Sequence, residues 1–138
     1  MKILSRQSTI KGGRNGKLQN TDKSIDLSLV PPKEMGGKGE GADPESLFVS
    51  GYISCLSSSM EYLLANDAIT YESLTMEGRV DLMGDPTGGF KFALDVRVTV
   101  EGLDEATARD YLQKAKNFCP YSKAIEGNVD VQLTLEVR

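Results

Sequence analysis

The stretch DPESLFVSGYISCLSSSMEYLLAN, residues 43–66, decides the fold because it predicts one long helix around which the other segments are arranged. Asp43 and Pro44 are typical of a helix start, and Glu45 places a negative charge where the helix dipole favours one. From Phe48 onward, apolar side chains recur every three or four residues, and small residues, mostly serines, line much of the middle. Small side chains allow another backbone to approach closely, so we expect a central buried helix.

Alternating apolar residues predict strands ahead of this helix. The sequence SIDLSLV at 24–30 is typical of a half-buried strand. We expect the segment 3–10 to pair with it, with the sequence GGRNG at 12–16 in the turn region between them. The glycine- and proline-rich sequence at 31–44 cannot form a helix or a central strand, and it predicts a long loop.

Behind the long helix, the pattern predicts two strands, a second helix and a final strand. The first two strands cover 73–82 and 90–100 and are joined by the turn sequence DPTGG. A helix begins at Asp104 with an apolar stripe that includes Phe118, and a short helical turn follows Pro120. This order of elements predicts an α+β protein with a largely antiparallel sheet, formed as a single domain over residues 1–138.

Composition excludes several classes of function. The 138 residues include no histidine and only two cysteines, which excludes histidine-dependent catalytic pairs, HExxH metal helices and Cys/His zinc fingers. A net charge of −4 argues against a nucleic-acid binder. The first residues lack the apolar core of a signal peptide, and no segment is apolar enough to span a membrane. We therefore expect a cytoplasmic protein with neither a metal nor a bound cofactor.

The two cysteines are the candidate reactive groups. Cys55 lies in the middle of the long helix and Cys119 at the end of the second helix, and neither belongs to a CxxC motif. Two interpretations remain open at this point, namely a pair of small buried side chains or an attacking and a resolving thiol. A thiolate without histidine needs a lysine or arginine from elsewhere in the chain. Residues 1–40 carry 8 Lys or Arg against 4 Asp or Glu, whereas the remainder carries 8 against 16.

Three motifs together resemble the organic hydroperoxide resistance proteins, a branch of the larger Ohr/OsmC superfamily. They are GGRNG at 12–16, GGKGEGADPESLFVSGYISC at 36–55 and CPYSKAIEGNVDVQLTLEV at 119–137. The resemblance covers essentially the whole chain. It implies an OsmC/Ohr-like fold with antiparallel sheets around a central buried helix, assembled as an intertwined homodimer. The N-terminal strand region 1–35 would form part of that dimer, and the active sites would lie at the subunit interface.

The same resemblance implies a thiol peroxidase that reduces alkyl or lipid hydroperoxides to alcohols in defence against oxidative stress. Cys55 matches the peroxidatic cysteine and Cys119 the resolving cysteine, which form an intramolecular disulfide. Arg14 matches the arginine that activates the thiolate, and Glu45 the carboxylate that orients this arginine. The implied partner is an external dithiol reductant, the dihydrolipoamide of a lipoylated protein.

Five apolar or aromatic residues are candidates for the entrance of a substrate pocket suited to alkyl or lipid hydroperoxides, although each fits ordinary core packing equally well. These residues are Met35, Phe48, Tyr52, Phe118 and Tyr121. Around Cys55 the sequence YISCLSSSM replaces the alanine-rich stretch of many family members. Two alternatives stay open, an OsmC-type peroxidase with a different peroxide preference and a non-enzymatic carrier of hydrophobic ligands whose cysteines are merely buried.

Overall fold

The computed structural model describes residues 1–138, which divide into two compact units, residues 1–47 and 48–138. The first unit contains a three-stranded antiparallel sheet in the order β1-β2-β3. Its strands are β1 (Ser8–Lys11), β2 (Lys17–Asn20) and β3 (Asp26–Ser28). The predicted loop follows, and a short 3₁₀ turn over Lys33–Met35 is its only regular structure.

The first sheet corrects the strand pairing expected from the sequence. The strand at 24–30 was expected to pair with the segment 3–10, but β3 pairs with β2, and β2 separates it from β1. Leu18 of β2 lies opposite Ile10 on one side and Leu27 on the other. The sequence of β2, KLQN, contains a single apolar residue, so it shows no alternation that would reveal a strand.

The long helix, α1, runs from Pro44 to Asn66 as predicted. The backbone N–H of Ser46 donates to the Asp43 carboxylate at 2.7 Å, which caps the start of the helix. The predicted central helix buries one of its faces in this chain. The buried side chains of this face are Tyr52, Leu56, Ser59, Met60 and Leu64, and the exposed serines are Ser50, Ser54 and Ser58.

The second unit contains a mixed sheet in the order β4-β5-β6, with β4 (Ser73–Gly84), β5 (Phe90–Glu101) and β6 (Asp130–Val137). As predicted, β4 and β5 form an antiparallel hairpin. The sheet is not antiparallel throughout, because β6 runs parallel to β5. Two helices, α2 (Glu105–Phe118) and α3 (Pro120–Ile125), form the crossover that a parallel pair requires.

The core of the second unit lies between β5 and the helices. Every second residue of β5 from Leu94 to Val100 is buried and packs in one cluster with the apolar faces of α1 and α2. At the start of α2 the Asp104 carboxylate accepts a hydrogen bond from the backbone N–H of Thr107. None of the three helices is both long enough and apolar enough to cross a membrane.

A glycine lets α1 pack closely against β4. A Cβ atom placed on Gly78 would lie 2.6 Å from the Cγ2 atom of Ile53 and 2.8 Å from the Cγ2 atom of Val49. Both distances are shorter than carbon atoms tolerate, and both methyl groups branch directly from the Cβ atoms of helical residues. Any side chain at position 78 must therefore push the helix away from the sheet.

We predict that Gly78→Ala lowers the free energy of unfolding by about 1–3 kcal/mol, the usual effect of overpacking a core. Urea denaturation followed by circular dichroism measures this change. Gly84→Ala, at the end of the same strand, is the matched control because nothing lies within 4 Å of its added Cβ atom. It should change the stability by no more than about 0.5 kcal/mol. Equal stabilities for the two variants would contradict the close packing at Gly78.

Candidate active site

The structure brings the two cysteines together although they lie 64 positions apart in the sequence. The Sγ atoms of Cys55 and Cys119 are 3.1 Å apart, and both residues are free thiols. Cys119 is fully buried, whereas Cys55 is partly exposed. A disulfide bond is about 2.05 Å long, so the two sulfur atoms need to approach by only about 1 Å to form one.

The junction between α2 and α3 fixes the position of Cys119. Its backbone N–H donates to the Ala115 carbonyl of α2 at 2.8 Å, and its carbonyl accepts from the backbone N–H of Lys123 in α3 at 3.1 Å. Pro120 occupies the first position of α3, where the missing N–H of proline does no harm. Cys119 itself has an extended backbone and is held at the ends of both helices.

The end of α2 differs from the predicted apolar stripe. Phe118 was expected to continue the stripe, but its side chain is 47% exposed and stacks on Tyr62, with 5.5 Å between the ring centroids. Cys119 takes the buried position instead. The helix ends at Phe118, so the extended backbone of the next residue turns its side chain toward the core.

The surroundings of Cys55 oppose ionisation of its thiol. Burial raises the pKa of Cys55, and the hydrogen bond with Cys119 acts in the same direction. The backbone N–H of Tyr121 and the hydroxyl of Ser59 act in the opposite direction, but burial outweighs them. Because the thiolate is the nucleophilic form of cysteine, these surroundings disfavour the reactive form of Cys55.

A second contact connects the same two segments. The hydroxyl groups of Tyr52 and Ser122 lie 3.2 Å apart in the protein interior, and burial raises the pKa of Tyr52. Sequence reasoning missed Ser122 and assigned Tyr52 to a substrate pocket. The sequence signal that could have indicated this contact is the spacing of the hydroxyl residues from the cysteines. Tyr52 lies three residues before Cys55, and Ser122 lies three residues after Cys119.

A glycine in α1 makes room for Tyr121. A Cβ atom at Gly51 would lie 2.8 Å from the Tyr121 hydroxyl and 3.0 Å from its ring. A glycine inside a helix is unfavourable by roughly 1 kcal/mol relative to alanine, so this close approach explains its presence. The Tyr121 side chain remains 44% exposed.

The two remaining predicted pocket residues, Phe48 and Met35, lie in different units. The ring of Phe48 packs on Phe92 with 4.6 Å between the centroids. In the first unit, Met35 is 49% exposed on the 3₁₀ turn and lines an open cavity of about 500 Å³. Their assignment to a substrate pocket, like that of Tyr52, Phe118 and Tyr121, stays a prediction.

The first unit joins the predicted arginine and carboxylate. Arg14 lies in the turn between β1 and β2, which closes with a 2.8 Å hydrogen bond from the Gly16 N–H to the Gly13 carbonyl. The guanidinium Nη2 of Arg14 lies 2.9 Å from Glu45 Oε1, and its Nη1 lies 3.4 Å from Oε2. This two-point contact with Glu45 raises the pKa of Arg14, so the guanidinium keeps its charge.

No group of three or more His, Cys, Asp or Glu side chains is arranged to hold a metal ion. The chemically distinctive groups are therefore the thiol pair of the second unit and the arginine–carboxylate pair of the first unit.

Comparisons with known proteins place this arrangement in a family. The family model described as OsmC-like protein matches residues 37–134. The chain is 39% identical over 133 residues to "Organic hydroperoxide resistance protein-like 2" of Staphylococcus epidermidis, which covers 95% of this chain and 94% of the relative.

Solved structures agree with this match. The crystal structure of an organic hydroperoxide resistance protein from Legionella pneumophila superimposes with a TM-score of 0.95 at 36% identity, over 99% of this chain and 100% of that chain. The crystal structure of the organic hydroperoxide resistance protein OhrB of Bacillus subtilis gives a TM-score of 0.86 at 36% identity, over 98% and 100% of the two chains. The fold, the near-complete coverage and the level of identity agree, and the chain belongs to the OsmC-like family, among the organic hydroperoxide resistance proteins.

Proposed function

We propose that this protein is a thiol-dependent peroxidase that reduces organic hydroperoxides to alcohols. The observation that carries the proposal is the 3.1 Å separation between a partly exposed thiol, Cys55, and a fully buried one, Cys119. A peroxidatic cysteine must meet its substrate, whereas a resolving cysteine needs only to reach the first sulfur. The names of the relatives support the same class of substrate.

The first step is attack by the Cys55 thiolate on the distal oxygen of the hydroperoxide. A sulfur–oxygen bond forms, the oxygen–oxygen bond breaks, and the alkoxide leaves and takes up a proton to become the alcohol. Cys55 is thereby oxidised to a sulfenic acid. The exposed face of Cys55 is where the substrate approaches.

In the second step the thiol of Cys119 attacks the sulfenic sulfur of Cys55. A disulfide bond forms, the sulfur–oxygen bond breaks, and the hydroxide leaves with the Cys119 proton as water. An external dithiol then reduces the disulfide by thiol–disulfide exchange, and the dihydrolipoamide of a lipoylated protein is the proposed donor.

The proposed source of positive charge for Cys55 is Arg14. Burial raises the pKa of Cys55, so a nearby cation would favour the thiolate and stabilise the charge that develops on the peroxide. The two-point contact with Glu45 keeps the guanidinium oriented. These roles of Arg14 and Glu45 follow the family resemblance.

The proposed substrates are alkyl or lipid hydroperoxides. We propose that the protein acts as a homodimer in the cytoplasm of a bacterial cell, where it defends the cell against oxidative stress. The exposed aromatic rings of Phe118 and Tyr121 lie in the unit that contains the thiols, and they suit an apolar substrate better than hydrogen peroxide. Comparing rates with organic hydroperoxides and with hydrogen peroxide tests this preference against the OsmC-type alternative.

We predict that Cys55→Ser abolishes turnover of tert-butyl hydroperoxide in the presence of dihydrolipoamide. Cys119→Ser should still oxidise Cys55 once but should form no intramolecular disulfide, because the resolving thiol is missing. Mass spectrometry of the peroxide-treated proteins, together with peroxide consumption, measures both effects.

Ser54→Ala is the matched control for the cysteine variants, because the hydroxyl of this exposed neighbour donates to the carbonyl of Ser50 in its own helix. It should keep wild-type turnover. Multiple turnover by Cys55→Ser would contradict the mechanism. Wild-type protein that retains both free thiols after one equivalent of peroxide would favour the ligand carrier instead.

We also predict that Arg14→Gln slows oxidation of Cys55 at pH 7 by about 100-fold, the effect of removing one charged donor from a transition state. Because the proposed role of Arg14 is to favour the thiolate, its removal should leave less thiolate at pH 7, and the rate of the variant should rise more steeply with pH than the rate of the wild type. Stopped-flow measurements of single oxidation events between pH 6 and about 10 record this profile. The control is Arg6→Gln, because the Arg6 side chain donates only to the Ser5 carbonyl. Equal pH profiles for the two variants would rule out the role of Arg14.

A further inference from the structure

We propose that the hydroxyl pair of Tyr52 and Ser122 positions Cys119 for attack on oxidised Cys55 and so limits over-oxidation of Cys55. This inference rests on the proposed peroxidase function and extends it to two residues that act through the cysteines. Tyr52 and Ser122 are positioning residues in this sense, because the proposed reaction takes place at the two sulfur atoms.

The geometry that carries this inference is a pair of neighbouring side-chain contacts between α1 and the segment around the start of α3. Residues three apart in a helix share one face, so Tyr52 and Cys55 face the same side of α1. The sulfur atoms of Cys55 and Cys119 are 3.1 Å apart, and the hydroxyl oxygens of Tyr52 and Ser122 are 3.2 Å apart. The segment from Cys119 to Ser122 is therefore attached to α1 at both of its ends.

Only one of these two connections changes during the reaction. When Cys55 becomes a sulfenic acid, an oxygen atom must be accommodated beside a sulfur contact of 3.1 Å, and the contact between the cysteines is disturbed. The hydroxyl pair takes no part in the oxidation and persists. The hydroxyl pair holds the start of α3 against α1 while the oxygen is accommodated between the sulfur atoms and while the disulfide bond then forms.

The surroundings make this hydrogen bond important. Tyr52 is fully buried and Ser122 is 8% exposed, so this hydrogen bond is largely shielded from bulk solvent. Beside the pair lies a cavity of about 230 Å³, lined in part by Tyr52, Ser122 and Ile125. Because α3 is only six residues long and borders this space, the start of α3 has room to shift once the hydrogen bond is removed.

The position of Cys119 decides between two fates of the sulfenic acid. Attack by the Cys119 thiol forms the disulfide and releases water, with the proton coming from that thiol. Attack by the sulfenate on a second hydroperoxide forms another sulfur–oxygen bond, breaks the oxygen–oxygen bond and releases an alcohol, which leaves Cys55 as a sulfinic acid. The ratio of disulfide to sulfinic acid therefore reports how well Cys119 is placed, independently of how fast the first oxidation occurs.

The test measures this ratio by mass spectrometry in full-length protein treated with excess tert-butyl hydroperoxide. Tyr52→Phe and Ser122→Ala should each lower the ratio by about fivefold, the factor that one ordinary hydrogen bond is worth. Ser122→Thr keeps the hydroxyl, and the adjoining cavity can accept the extra methyl group. This variant should therefore show the wild-type ratio. Tyr71→Phe removes an exposed hydroxyl that also bonds at 3.2 Å, to Glu61, and should leave the ratio unchanged.

The outcomes separate this inference from the proposed function. Wild-type ratios in both Tyr52→Phe and Ser122→Ala would overturn the positioning role, as would a Ser122→Thr protein that behaves like Ser122→Ala. A wild-type protein whose Cys55 is not oxidised by the hydroperoxide would overturn the peroxidase function itself. If Tyr52→Phe fails to fold by circular dichroism, the comparison of Ser122→Ala with Ser122→Thr decides alone, because both variants retain Tyr52.

Discussion

The apolar face of α1 against β5 is the interaction on which the second unit depends. The fully buried side chains of Tyr52, Leu56, Met60 and Leu64 belong to the same cluster as the buried residues of β5, and Gly78 of β4 permits the close approach of the helix. Close packing of this kind fixes the rotation of a helix about its axis. The rotation of α1 in turn places Cys55 against Cys119 at the α2–α3 junction.

Burial and the proposed catalytic role make opposite demands on Cys55. The packing that holds the two thiols together also buries part of Cys55 and raises the pKa of its thiol, which disfavours the reactive form. A chain without histidine has few ways to compensate. In the proposed mechanism Arg14 compensates, and its contact with the Glu45 carboxylate within the first unit keeps the guanidinium both charged and oriented.

Several elements were predictable because their signals are local. The cap at Asp43 and the spacing of apolar residues identified α1, and Pro120 marked the boundary between α2 and α3. A shared apolar face identified β4, and strict alternation identified β5. The strand β2 was missed because its four residues carry one apolar side chain. The parallel pairing of β6 was missed because strand direction depends on the path of the crossover, which no local pattern records.

By itself, the sequence determined which groups can do chemistry in this protein. The absence of histidine excludes an imidazole base, the two cysteines are the candidate nucleophiles, and three motifs single out Cys55, Cys119, Arg14 and Glu45. Only the tertiary structure decided that the thiols lie in contact, that Cys119 rather than Phe118 is buried, and that Ser122 meets Tyr52. The physical reason is that residue types and spacing follow from local chemistry, whereas contacts between residues 64 or 70 positions apart depend on how helices pack and where the chain turns.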